Sequence, residues 1–185
     1  IASGANLTVN SNDVSVIDVD FSDSYAISVS DSTGVKITNN TVNYVGYTNG
    51  TFVNNALYVA DSAVEAIDGN TFDIAIPSVD VAWSEIPAGS ENWVSSPVSE
   101  GIVLKNDTGL VFANNIINLN ATDVITAYGY DTIYAVDVDS DNAVVDNNVI
   151  IANGKDYIYG LIVSGENLTV SNNTIQSESD SYYAN

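Results

Sequence analysis

The sequence predicts an all-β fold in which the chain winds into about six coils, a parallel β-helix carrying a ladder of stacked asparagines. Three observations predict it. The first is a six-residue figure with asparagine fixed at its fourth place. It is clearest at Val170-Ser-Asn-Asn-Thr-Ile175 and returns at Ile37–Val42, Phe112–Ile117 and Val145–Ile150, with looser copies at Val9–Val14 and Ile67–Phe72. The shared asparagines are Asn12, Asn40, Asn70, Asn115, Asn148 and Asn173, each with an apolar residue three before and two after. The second is an upstream figure opening on Ala or Gly with aliphatic residues at its second and fourth places: Ala26–Val29, Ala56–Val59, Gly101–Leu104, Ala135–Val138 and Gly160–Val163. The third is a turn residue between the two figures, Gly34, Gly109, Asn142 or Asn167, of the types that tolerate a left-handed backbone.

Alternation with a period of two is the strand signal, one face dry and the other wet. Each unit therefore reads as three short strands joined by bends, with no helix. One unit cannot bury its own apolar face, whereas stacked copies can. Parallel strands at about 4.8 Å would line Ile27, Leu57, Ile102, Val136 and Leu161 into one aliphatic column. The repeated asparagine falls at a sharp bend, where its amide bonds the like amide above and below. A buried amide left unpaired costs ~1–3 kcal/mol, so the column is satisfied only while the stack keeps its register.

These two figures together resemble the right-handed parallel β-helix repeat of pectin-lyase-like proteins. The Asn-, Thr-, Val- and Asp-rich texture, almost without basic residues, resembles more narrowly the adhesin-like surface proteins of methanogenic archaea. The resemblance runs from Asn6 to Ile175. It implies an extracellular, cell-surface protein, but the fold hosts lyases, hydrolases and adhesins alike and does not itself fix a function.

Composition narrows the choices. A hydrophobic content of 45% supports one folded domain over residues 1–185 despite a net charge of −21. Three lysines, no arginine and no histidine exclude ordinary binding to nucleic-acid phosphates and argue against docking on an anionic membrane. No stretch approaches the ~20 apolar residues of a membrane span, so direct membrane insertion is not expected. Without cysteine there is neither a disulfide framework nor a thiolate metal site. The chain reads as a fragment of a longer secreted surface protein, whose neighbouring coils or domains would cover the ends of the stack. Seven Asn-x-Ser/Thr sequons, at Asn6, Asn39, Asn49, Asn106, Asn120, Asn167 and Asn172, fit an external location.

Along the chain, the first asparagine figure lacks its upstream partner, so the N-terminal coil is expected to be incomplete. Successive ladder asparagines are 28, 30, 45, 33 and 25 residues apart. Strands cannot stretch, so the excess falls in the connection after each third strand, where function is to be sought. The longest insertion, about 77–98, holds all three prolines and both tryptophans. It offers Trp83 and Trp93 as a sugar-stacking or partner-anchoring surface with Glu85 and Asn92 as hydrogen-bonding groups, or else indoles that pin the loop to the wall. Tyr128 and Tyr130, in the next long connection, are candidates to extend that surface, with Tyr44 and Tyr47 of an earlier connection. Tyr25, Tyr134 and Tyr159 precede the Ala/Gly figure at one register and are expected to line up as a structural column.

Polysaccharide lyases of the fold that this chain resembles bring a basic residue to the wall of the first strand; here only Lys105 stands near it. Glycoside cleavage by two carboxylates needs them ~5–9.5 Å apart. Asp137 and Asp139 are the best local pair, read chiefly as solvated acids on an outer strand face. Asp137, Asp139 and Asp141 also resemble the start of a calcium loop, which then departs from the pattern at Asn142 and Asn148. Asp18, Asp20 and Asp23 form another acid group, and weak calcium binding is the one cofactor expectation. No catalytic set is assigned. The sequence favours a non-catalytic extracellular adhesin-like module that contacts cell-surface glycans or proteins of another cell through its loops. The alternatives are a polysaccharide-active enzyme using paired carboxylates and a passive surface stalk.

Overall fold

The computed structural model of the chain describes residues 4–17, 24–46, 54–76, 98–121, 132–154 and 157–179. Among them are seventeen strands and no helix. The first coil contributes β1 (Thr8–Asn10) and β2 (Asp13–Ile17). Five three-strand coils follow: β3 (Ser24–Ser30), β4 (Val35–Thr38), β5 (Thr41–Val45); β6 (Asn54–Ala60), β7 (Val64–Asp68), β8 (Thr71–Ile76); β9 (Val98–Lys105), β10 (Val111–Ala113), β11 (Ile116–Ala121); β12 (Thr132–Asp139), β13 (Val144–Asp146), β14 (Val149–Gly154); and β15 (Tyr157–Ser164), β16 (Thr169–Ser171), β17 (Thr174–Ser179). Every strand pairs in parallel with its counterparts one coil away, giving three sheets. The first-strand sheet has five strands and the other two have six, because the described part of the N-terminal coil has no first strand. This is the right-handed parallel β-helix that the repeats predict.

The register is the one that the figures imply. Ile27 pairs with Leu57, Leu57 with Ile102, Ile102 with Val136, and Val136 with Leu161. A second column runs Val42, Phe72, Ile117, Ile150, and both feed one buried core. At the last coil the core opens: Val170 and Ile175 are half exposed.

The asparagine ladder is complete. Asn12, Asn40, Asn70, Asn115 and Asn148 each donate Nδ2–H to Oδ1 of the next asparagine at 2.9–3.0 Å. Each backbone N–H bonds that same oxygen. The second Nδ2 hydrogen of Asn40, Asn70, Asn115 and Asn148 goes to a backbone carbonyl one coil back. Both donors and both lone pairs of these four amides are thus used, which is what lets them sit 0–1% exposed. The residue before each ladder position has a positive φ: Ser11, Asn39, Gly69, Asn114, Asn147 and Asn172. That explains the Asn-Asn pairs, the first asparagine making the left-handed corner and the second filling the interior.

A second polar ladder stands at the corner between the first and second strands. Backbone N–H groups of Gly4, Ser32, Ser62 and Asp107 donate to side chains of Ser32, Ser62, Asp107 and Ser140, one coil on. Sequence reading missed it. Its signal was a small polar residue six places after Ala26, Ala56 and Gly101. Asp107 is the odd member: its Oδ1 accepts from Ser62, while its Oδ2 is buried without a partner. Burial pushes this carboxyl up to about 7.

Tyr44 requires a correction. It was expected in a connection, but it lies in β5 and is buried in the core. It takes the place that Ile74 and Leu119 hold in the following coils. Its hydroxyl reaches Ser24, and Gly46 leaves room for the ring, since a Cβ there would meet it at 2.5 Å.

Candidate functional site

In β12 the alternation of buried and outward residues breaks at the Ala/Gly position. There the core takes Ile133, Ala135 and Val136, while Tyr134 stands only half buried beside Asp137. The residue at this position must be small. A Cβ on Gly101 would come within 2.9 Å of the Ala135 carbonyl and of Ile74. Tyr25, Asn55, Glu100, Tyr134 and Tyr159 share one register on the outer side of the first-strand sheet, where Asn55 is buried and donates to the Glu100 carbonyl and the others are part buried.

On this outer face the rings pair. Tyr25 and Tyr58 have centroids 5.5 Å apart, and Tyr134 and Tyr159 have centroids 5.2 Å apart, both tilted. Between the two pairs, on β9 and β12, lies the densest charge cluster of the described residues. The Lys105 ammonium is 3.6 Å from Glu100 and 3.5 Å from Asp137. Burial raises the Glu100 carboxyl above its usual range; Lys105 opposes that shift and the Asp137 charge adds to it. Burial acts to lower Lys105, but the charges of Glu100 and Asp137 outweigh it and raise the ammonium pKa. Burial, helped by Tyr159, Asp137 and Glu100, also raises the Tyr134 phenol.

This chemistry suits recognition better than cleavage. A lysine held protonated between two acids is no base for proton abstraction. The part-buried rings offer apolar surface with polar rims, and the triad offers both donors and acceptors.

The sequence-predicted residues fall in three groups. Trp83, Trp93, Glu85, Asn92, Tyr128 and Tyr130 lie outside the described residues, as do Tyr47, Asp18, Asp20 and Asp23. The described residues that flank these connections, Ile76 and Val98, Ala121 and Thr132, all stand where a third strand hands over to the next first strand. Both connections therefore run from the end of a third strand to the start of the next first strand. Asp137, Asp139 and Asp141 do not converge. Asp137 faces Lys105, Asp139 accepts from Ser164, and Asp141 accepts from the Glu166 N–H. Among the described residues no three acids are grouped to hold a cation. Glu100 and Lys105 are the partners that Asp137 finds instead of Asp139.

Of the sequon asparagines, Asn6, Asn39, Asn106, Asn167 and Asn172 occupy left-handed corners. Asn120 lies in an extended strand.

The chain belongs to the right-handed β-helix family: the family described as "Right handed beta helix region" matches residues 3–183. No curated protein and no solved structure matches the chain.

Proposed function

We propose that this chain is a non-catalytic, extracellular β-helix module of an adhesin-like surface protein, similar to those of methanogenic archaea, and that it binds glycans of a neighbouring cell. The observation that carries this reading is the tyrosine face: two ring pairs bracket the Glu100–Lys105–Asp137 cluster. A ring that stacks on a sugar while a neighbouring charged group takes its hydroxyls is a common way to hold a carbohydrate. The strongly acidic remainder of the chain favours soluble, weakly self-associating surfaces. The test is a glycan array probed with wild type, Tyr58→Ala and Tyr134→Ala. Loss of signal in either variant supports the reading; equal signal in all three removes the tyrosine face, and no signal from wild type favours a passive stalk.

One observation favours a second reading, a polysaccharide-active enzyme. Glu100 and Asp137 approach the same ammonium, and Glu100 holds its proton more tightly than an ordinary carboxyl. Release of reducing or unsaturated sugar ends, abolished by Glu100→Gln, would replace binding with catalysis.

A further inference from the structure

The outer face of the third-strand sheet carries a cleft of about 410 Å³. It crosses β5, β8, β11 and β14, four strands that span ~14 Å at sheet spacing. Register brings two rows of side chains into it: Asn43, Asp73, Asn118 and Ile151, then Val45, Ala75, Asn120 and Asn153.

We infer that this cleft is a second binding site, for a short neutral saccharide, separate from the tyrosine face. Its chemistry narrows the ligand. Four of its lining residues are asparagines, each with donors and an acceptor on one group, which matches hydroxyls that both donate and accept. Among the described residues that line it there is no lysine, and the one carboxylate, Asp73, would repel uronates and phosphates. That carboxylate already accepts from Asn118 Nδ2 at 2.8 Å, and a lone carboxylate is a poor cation site. Asn153, which lines the cleft, has a buried Oδ1 that accepts no hydrogen bond, and a rotation of its amide would present that oxygen to a ligand hydroxyl. Val45, Ala75 and Ile151 supply the apolar patches that a sugar's C–H face covers. The volume falls within the ~300–1,000 Å³ of small-ligand pockets.

The test is an NMR titration of the ¹⁵N-labelled chain with neutral hexose and N-acetylhexosamine oligomers, and separately with an oligogalacturonate. The expected result is that a neutral oligomer shifts amides of β5, β8, β11 and β14, and that the oligogalacturonate does not. Asn118→Ala with Asn153→Ala should weaken that binding ~10-fold or more, as lost hydrogen bonds do. Tyr134→Ala with Tyr159→Ala should leave it intact, so failure here and failure of the tyrosine face are told apart. The inference is overturned if no neutral oligomer shifts these strands, if the acidic oligomer binds them equally well, or if the double asparagine variant binds like wild type. Shifts confined to β9, β12 and β15 would overturn it while supporting the tyrosine face.

Discussion

Asn70 and Asn115 are forty-five residues apart in sequence, yet Nδ2 of the first donates to Oδ1 of the second at 2.9 Å. The longest insertion of the chain lies between them. The ladder closes across it with the same geometry as between Asn148 and Asn173, which are only 25 residues apart. Register is therefore set inside the coil, and loop length is free to vary outside it.

Asn115→Ala should be among the most damaging single changes. It removes the acceptor for the backbone and side-chain N–H groups of Asn70, and the donor for Ile67 O and Asn148 Oδ1. With buried polar groups left unpaired at ~1–3 kcal/mol each, a loss of at least ~3 kcal/mol is expected. Urea unfolding followed by circular dichroism measures it; a change below ~1 kcal/mol would mean that relaxation or water replaces the amide.

Asp107 gives the fold a pH dependence of known sign. Its folded pKa, about 7, lies above the ordinary aspartate value of 3.8. The folded state thus holds this proton more tightly than the unfolded chain does. The resulting stabilisation is complete below the unfolded pKa and disappears as pH rises through 7. Asp107→Asn retains an acceptor for Ser62 and does not titrate. The stability of wild type relative to this variant should therefore drop by roughly 2–3 kcal/mol between pH 5 and pH 8. Comparing the two proteins removes the contribution of the other acids, and a constant difference across that range would refute the assignment.

The framework should not depend on its longest insertion. Replacing residues 78–96 with a short Gly/Ser turn should leave the melting temperature within a few degrees, since a doubling of loop length changes closure entropy by only ~0.6 kcal/mol. Glycan signal lost with stability retained would assign a binding role to the Trp83 and Trp93 connection. Collapse of the fold would instead make that segment part of the wall.

Much of this architecture was legible because each coil uses the same residue types at the same corners. The six ladder asparagines, the column from Ile27 to Leu161 and the left-handed Gly34, Gly109, Asn142 and Asn167 all stand where repetition put them. Residues that break the repeat were harder to read. Tyr44 sits in an otherwise aliphatic column because Gly46 makes space beside it. Glu100 has the parity of Ile102 and Leu104 in a straight strand, so alternation alone gives it no place on the outer face. The alternation breaks at Gly101 and Ile102, both buried, and Glu100 stands beside Lys105 and Asp137. The Ser32–Ser62–Asp107–Ser140 ladder mixes residue types and shifts by one place at its last member, which hid it among the turn residues.

Hydrogen exchange at the asparagine side chains tests the central claim most directly, that an internal amide ladder holds the coils in register and leaves their outer faces for binding. Nδ2 protons of Asn40, Asn70, Asn115 and Asn148 should exchange only as fast as the whole domain unfolds, while those of the exposed Asn43 and Asn120 exchange freely. Equal, rapid exchange in both sets would contradict the account.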